Sequence, residues 1–139
     1  MKINKLLVIL TFFFILKVSH AQVAIIANKS VKETGITSDL TKDIYTLDQQ
    51  RWSNGDDIKV YDIKANNSSK ETFYKFIGET PLKLKKIWLR AKLSGEGTPP
   101  KALATENDVL NAVATTSGAI GYIDASKVTK KVKVLKTIK

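Results

Sequence analysis

The side chains able to do chemistry are few, and what is missing narrows the field most. The chain has no cysteine, and its single histidine is His20. Beyond position 20 neither thiolate nor imidazole is on hand for nucleophilic catalysis or for a zinc site. Carboxylates remain. Asp39 and Asp43 are spaced to share one side of a helix, and Asp56 and Asp57 are adjacent. The first pair reads as a solvated helix face and the second as part of a turn. An enzyme is not expected, because carboxylates alone would have to supply the whole reaction, and no cofactor is implied.

The elements that hold these residues follow from periodicity and punctuation. Val23 to Ala27 is a short apolar run rich in β-branched residues, the mark of a strand buried on both faces, which suggests a parallel sheet. Thr37 or Ser38 caps a helix with Leu40, Ile44 and Leu47 on one face. Asn54-Gly55-Asp56-Asp57 makes a turn, and Ile58 to Asp62 alternates as a strand does. After the polar loop Lys64 to Ser69, Ser68 with Glu71 fits a capping box for a helix carrying Phe73, Phe76 and Ile77. Gly78 closes it, and Thr80-Pro81 opens the next, with a buried stripe of Leu84, Ile87, Trp88 and Ala91. Lys83, Lys85, Lys86 and Arg90 on that helix read as a solvated basic face rather than a nucleic-acid surface.

Ser94-Gly95-Glu96-Gly97-Thr98-Pro99-Pro100 cannot continue either regular element and is a loop, open to the approach of a ligand. Thr105 with Asp108 caps a further helix that ends at Ser117-Gly118, and Ala119 to Ile123 is a strand. From Lys130 the tail alternates lysine with valine, the pattern of an edge strand with a wet, protected side.

Residues 1-21 have the plan of a signal peptide: Lys2 and Lys5, an apolar run from Leu6 to Leu16, then Ser19-His20-Ala21. The run is far shorter than the roughly 20 residues of a membrane-spanning helix. Cleavage near Ala21 leaves residues 22-139 as one domain, periplasmic or secreted, with neither a disulfide framework nor a lipid-anchoring cysteine. Removing Lys2, Lys5 and Lys17 from the 23 basic residues leaves 20 against 13 acidic ones, a charge of about +7 that favours anionic partners.

Taken in order, the strand ending at Asn28, the helix SDLTKDIYTL, RWSNGDDIKVYD, a serine-rich turn, FYKFIG and TTSGAIGYID resemble the substrate-binding proteins of phosphate ABC transporters. Trp52 and Gly118-Ala119-Ile120-Gly121-Tyr122 carry the match best, and KLSGEGTPP is similar to the corresponding segment of short, single-lobe members. The resemblance implies an α/β fold, a single lobe of a type 2 periplasmic-binding-protein fold, with a mixed, mainly parallel sheet flanked by helices.

It also implies a ligand: phosphate or a related oxyanion, held by backbone amides and hydroxyls at helix N-termini. Asn67, Ser68 and Ser69 occupy the place of the family's Ser-Gly-Thr loop and become the ligand-binding candidates, with Gly97 and Thr98 as donors from a second loop. Two positions depart from the family pattern. Ser68 replaces a glycine, and Ile63 stands where full-length members place an arginine, so Lys70 or Lys64 would have to supply the countercharge. Trp52 is expected to pack at the rim, Arg51 to be a surface charge and Tyr122 to be core. The implied partners are an ABC permease or another envelope protein, or a second copy closing over the ligand as a homodimer, and not nucleic acid. The alternative is a lobe that has lost its ligand and serves as a structural or interaction module of the envelope.

Overall fold

A computed structural model describes residues 22-139; the proposed signal segment 1-21 lies outside the described residues. Five strands form one sheet in the order β3-β2-β4-β1-β5. They are β1 (Val23–Ala27), β2 (Lys59–Ile63), β3 (Lys101–Leu103), β4 (Ala119–Asp124) and β5 (Lys133–Ile138). The helices are α1 (Ser38–Tyr45), α2 (Ser68–Ile77), α3 (Pro81–Ser94) and α4 (Glu106–Thr115), with a short 3-10 turn at Ala125–Lys127.

β2 runs parallel to both β3 and β4, whereas β1 is antiparallel to β4 and to β5. Four strands therefore share one direction and β1 alone is reversed, giving the mixed, mostly parallel sheet that was expected. The inference from the apolar run of β1 itself needs correcting. All five of its residues are buried because β4 and β5 flank it and helices cover the sheet, not because it is a parallel strand. β3 is an addition to the sequence reading; at three residues, following Pro99-Pro100, it is too short for alternation to reveal.

Alternation along β4 assigns the two faces. Gly121 points at α4, where an added Cβ would lie 2.7 Å from Val109 Cγ1. Tyr122, one residue on and so on the opposite face, stacks on Phe73 of α2 with centroids 4.0 Å apart. Tyr45 of α1 meets Phe73 edge-on at 4.7 Å and completes an aromatic core on that side. α3 lies outside this layer: Leu84 and Ala91 are buried, and Trp88 Nε1 donates to the Tyr45 carbonyl at 2.7 Å.

Capping follows the sequence closely. Thr37, Thr80 and Thr105 each accept a backbone N–H from three residues on, and Gly78 ends α2 in the left-handed conformation. The exception is the start of α2. Asn67, not Ser68, is the N-cap, its Oδ1 accepting from Lys70 N at 2.9 Å. Asn67 takes extended backbone angles and Ser68 already belongs to the helix, so no capping box forms with Glu71. Trp52, expected at the rim, is instead buried in the core, and its Nε1 donates to the Gly118 carbonyl at 2.9 Å. Gly118 has a positive φ of 74°, and a Cβ there would sit 2.3 Å from the Asp57 carbonyl oxygen, so only glycine fits.

Candidate functional site

Because β2, β3 and β4 run the same way, their C-terminal ends lie along one edge, where open α/β sheets bind their ligands. Two helices start there. The loop after β2 leads into α2, and the turn after β3 leads into α4; Lys64 N donates to the Leu103 carbonyl at 2.8 Å and ties the two connections together.

At the start of α2, Asn67 Oδ1 takes the N–H of Lys70, and the Asn67 carbonyl takes that of Glu71. The first two helical amides, of Ser68 and Ser69, are left for another acceptor, as the geometry of a helix start dictates. The Ser68 side chain is exposed beside them, on a groove of about 600 Å3 lined also by Asn66, Asn67, Lys70, Tyr74 and Thr80.

Two of the other expected donors, Lys70 and Ser69, are turned toward the protein itself. Lys70 Nζ donates to the Ile63 carbonyl at 2.8 Å and sits 5.4 Å above the Tyr74 ring. Ser69 is buried, with its hydroxyl near enough to the Glu106 carboxylate to help lower its value. Glu106, the first residue of α4, also accepts the Asp124 N–H at 3.1 Å and pairs with Lys127 Nζ at 2.8 Å. Burial pushes the Glu106 carboxyl up, but hydrogen bonds from Lys127, Ser69 and Asp124 outweigh it and hold the group below its ordinary value.

A second carboxylate is buried close to this edge. Asp62, 2% exposed near the end of β2, accepts from the Tyr74 hydroxyl at 2.6 Å, from the Tyr122 hydroxyl and from Ile63 N at 2.9 Å. Burial, and then the negative charge of Asp62, push both tyrosine hydroxyls well above their ordinary value, so they remain donors. The three side chains fasten α2 to β2 and β4, and so set where the start of α2 stands relative to the sheet.

The structure brings Asn67, Ser68, Ser69 and Lys70 together but separates Gly97 and Thr98 from them. Lys101 pairs with Tyr61, so Thr98 lies beside the opposite end of β2, a strand length of roughly 16 Å away. There it lines a different groove, of about 390 Å3, with Arg51, Lys59 and Lys101. The two loops do not face one ligand. Arg51 is exposed, 3.8 Å from the Asp57 carboxylate, and Tyr122 is core, both as expected.

Sequence reasoning missed Glu106 and Lys127. The acidic residue directly after the Thr105 cap was a signal for the first, but its partner lies 21 positions further on, and no local pattern joins them. Among the described residues no cluster of three or more metal-binding side chains occurs.

The arrangement has solved counterparts. The fold is that of one lobe of a periplasmic-binding protein. The chain is similar to a Clostridium perfringens protein assigned as a phosphate ABC transporter substrate-binding protein and solved with bound phosphate. The TM-score is 0.69 at 21% identity, over 84% of this chain and 45% of that one. An ABC-type phosphate transport receptor from Vibrio cholerae matches with a TM-score of 0.64 at 17% identity, over 84% and 47%. PstS from Borrelia burgdorferi gives 0.60 at 16%, over 83% and 47%. The chain thus spans less than half the length of the structures it matches. No protein-family pattern matches the sequence, and no curated protein matches it either.

Proposed function

We propose that the protein is a non-catalytic, exported binding lobe that holds phosphate or a related oxyanion at the start of α2. The observation that carries this reading is the pair of unclaimed amides of Ser68 and Ser69, beside the exposed Ser68 hydroxyl, at the ligand edge of a fold shared with phosphate-binding proteins. Backbone N–H groups at a helix start hold an anion without a countercharge on a side chain, which suits a site whose Lys70 is committed to the Ile63 carbonyl. An ABC permease, another envelope protein or a second copy would cover the open side of the ligand.

The test removes an amide without breaking the helix. Ser68 is the first helical residue and Asn67 before it is extended, both suited to proline at 68, so Ser68→Pro deletes one N–H and the hydroxyl together. Titration calorimetry with inorganic phosphate should show binding by the unaltered protein at or below about 1 mM, weakened at least tenfold in Ser68→Pro. Absence of heat, or equal heats for the two proteins, refutes the reading.

A second reading has its own observation. The Glu106 carboxylate already receives the Asp124 amide and Lys127, close to the Ser69 hydroxyl, and thereby stands where donors for an external anion would be used. On this reading the lobe is a ligand-free interaction module of the envelope. It predicts no phosphate heat in either protein, together with recovery of a specific envelope protein in cross-linking.

A further inference from the structure

α3 is apolar on two opposite sides. Leu84 and Ala91 face inward and are buried, while Leu82, Leu89 and Leu93 are 65%, 59% and 79% exposed. At about 100° per residue the three exposed leucines fall within about 40° of arc, a straight line roughly 16 Å long on the outer surface. Lys85 and Lys92 flank that line on one side, and Lys86 and Arg90 on the other. The helix contains no acidic residue, and among the described residues none of these four cations pairs with a carboxylate. A shallow depression between Leu89 and Leu93 is bordered by Lys86 and Arg90.

Leucines exposed in line cost solvation free energy, and four unpaired cations beside them define what can cover them. A second copy would bring two uncompensated cationic rows together. The segment 1-21 has lysines and no carboxylate, so it offers no charge complement. An anionic surface satisfies both features at once. Leucines centred between two rows of long cationic side chains have the layout of a helix lying in the plane of a bilayer. The apolar line enters the acyl boundary, and lysine and arginine stems reach back to the headgroup phosphates. No described helix is long and apolar enough to cross a membrane, which accords with a helix that lies on one.

We propose that the outer face of α3 docks the protein on a membrane surface rich in anionic phospholipid. This goes beyond oxyanion binding at α2 and does not depend on it.

Sedimentation with vesicles of phosphatidylcholine, with and without phosphatidylglycerol, tests the proposal. The protein should pellet with the phosphatidylglycerol vesicles and stay free of pure phosphatidylcholine. Each of Lys85, Lys86, Arg90 and Lys92 changed to glutamine should lower the partition coefficient by about fivefold. Replacing Leu82, Leu89 and Leu93 together by serine leaves the charge unchanged and should lower it at least tenfold. The leucines are exposed, so this variant keeps its fold, checked by an unchanged urea midpoint. Millimolar inorganic phosphate, which would fill the α2 site, should not displace the protein from vesicles. The proposal is overturned if phosphatidylglycerol vesicles leave the protein in solution, the outcome expected if the stripe serves an acidic protein instead. It is equally overturned if the serine variant binds as well as the parent, which would reduce the effect to diffuse charge attraction.

Discussion

Removing the Tyr74 hydroxyl should destabilise the protein more than removing that of Tyr122, although both donate to the same carboxylate. Asp62 Oδ2 has Tyr74 as its hydrogen-bond donor, whereas Oδ1 receives both Tyr122 and the Ile63 amide. Tyr74→Phe therefore leaves one oxygen of a buried carboxylate without a donor, at a cost of about 2–3 kcal/mol. Tyr122→Phe leaves Oδ1 partly satisfied and should cost nearer 1.5 kcal/mol. For a domain of this size a loss of 2 kcal/mol lowers Tm by about 8 °C. Urea unfolding followed by the fluorescence of Trp52 and Trp88 reads the difference as a shift in midpoint at constant slope. The control is Asp62→Leu, in which no carboxylate remains to be orphaned; there Tyr74→Phe should cost under about 0.5 kcal/mol. Equal costs for Tyr74→Phe with and without Asp62 would refute the reasoning, since the tyrosine would then act through packing alone. Because Tyr74 fastens α2 to β2, the same variant should also weaken any ligand held at the start of α2.

The remaining predictions concern the two helix starts at the C-terminal edge of the parallel strands. Asn67→Ala removes the cap and should cost about 1 kcal/mol in urea unfolding, while Ser68→Ala should change stability by less than about 0.5 kcal/mol; the reverse order would restore Ser68 as the cap. Glu106 has a folded value held below its ordinary 4.5, so its contribution to stability is present above the unfolded value and is lost as pH falls through the folded one. The stability gap between the unaltered protein and Glu106→Gln should accordingly be constant near neutrality and close progressively in acid, below about pH 4. A gap that does not change with pH, measured by urea midpoints across that range, would mean the carboxylate charge is not what the site uses.

Much of the local structure was legible in the sequence because its causes are local. The Thr37, Thr80 and Thr105 caps, Pro81 at the first position of α3 and Gly78 after α2 each depend on partners within four residues. β5 is an edge strand as expected, but it runs from Lys133 rather than Lys130, and Val134 is exposed while Leu135 and Ile138 are buried, so the alternation of lysine with valine did not mark its inner face. The start of α2 misled because Asn67 and Ser68 are both competent caps, and only the backbone angles of the assembled loop choose between them. The outer leucines of α3 were overlooked because its inner stripe already explained the helix.

What the sequence determined by itself was negative chemistry and local form: no cysteine, no histidine beyond position 20, and, β3 apart, strands and helices in the order found. The tertiary structure alone decided which of those pieces meet. Asp62 and Tyr122 are 60 residues apart in the chain and touch because β2 and β4 are neighbours carrying their side chains to the same face. Ser69, Glu106 and Lys127 converge because three strands end along one edge, and Thr98 is excluded because its loop enters β3 from the other. Sheet order and strand direction fix such meetings, and both arise from burying the whole core together rather than from any short run of residues.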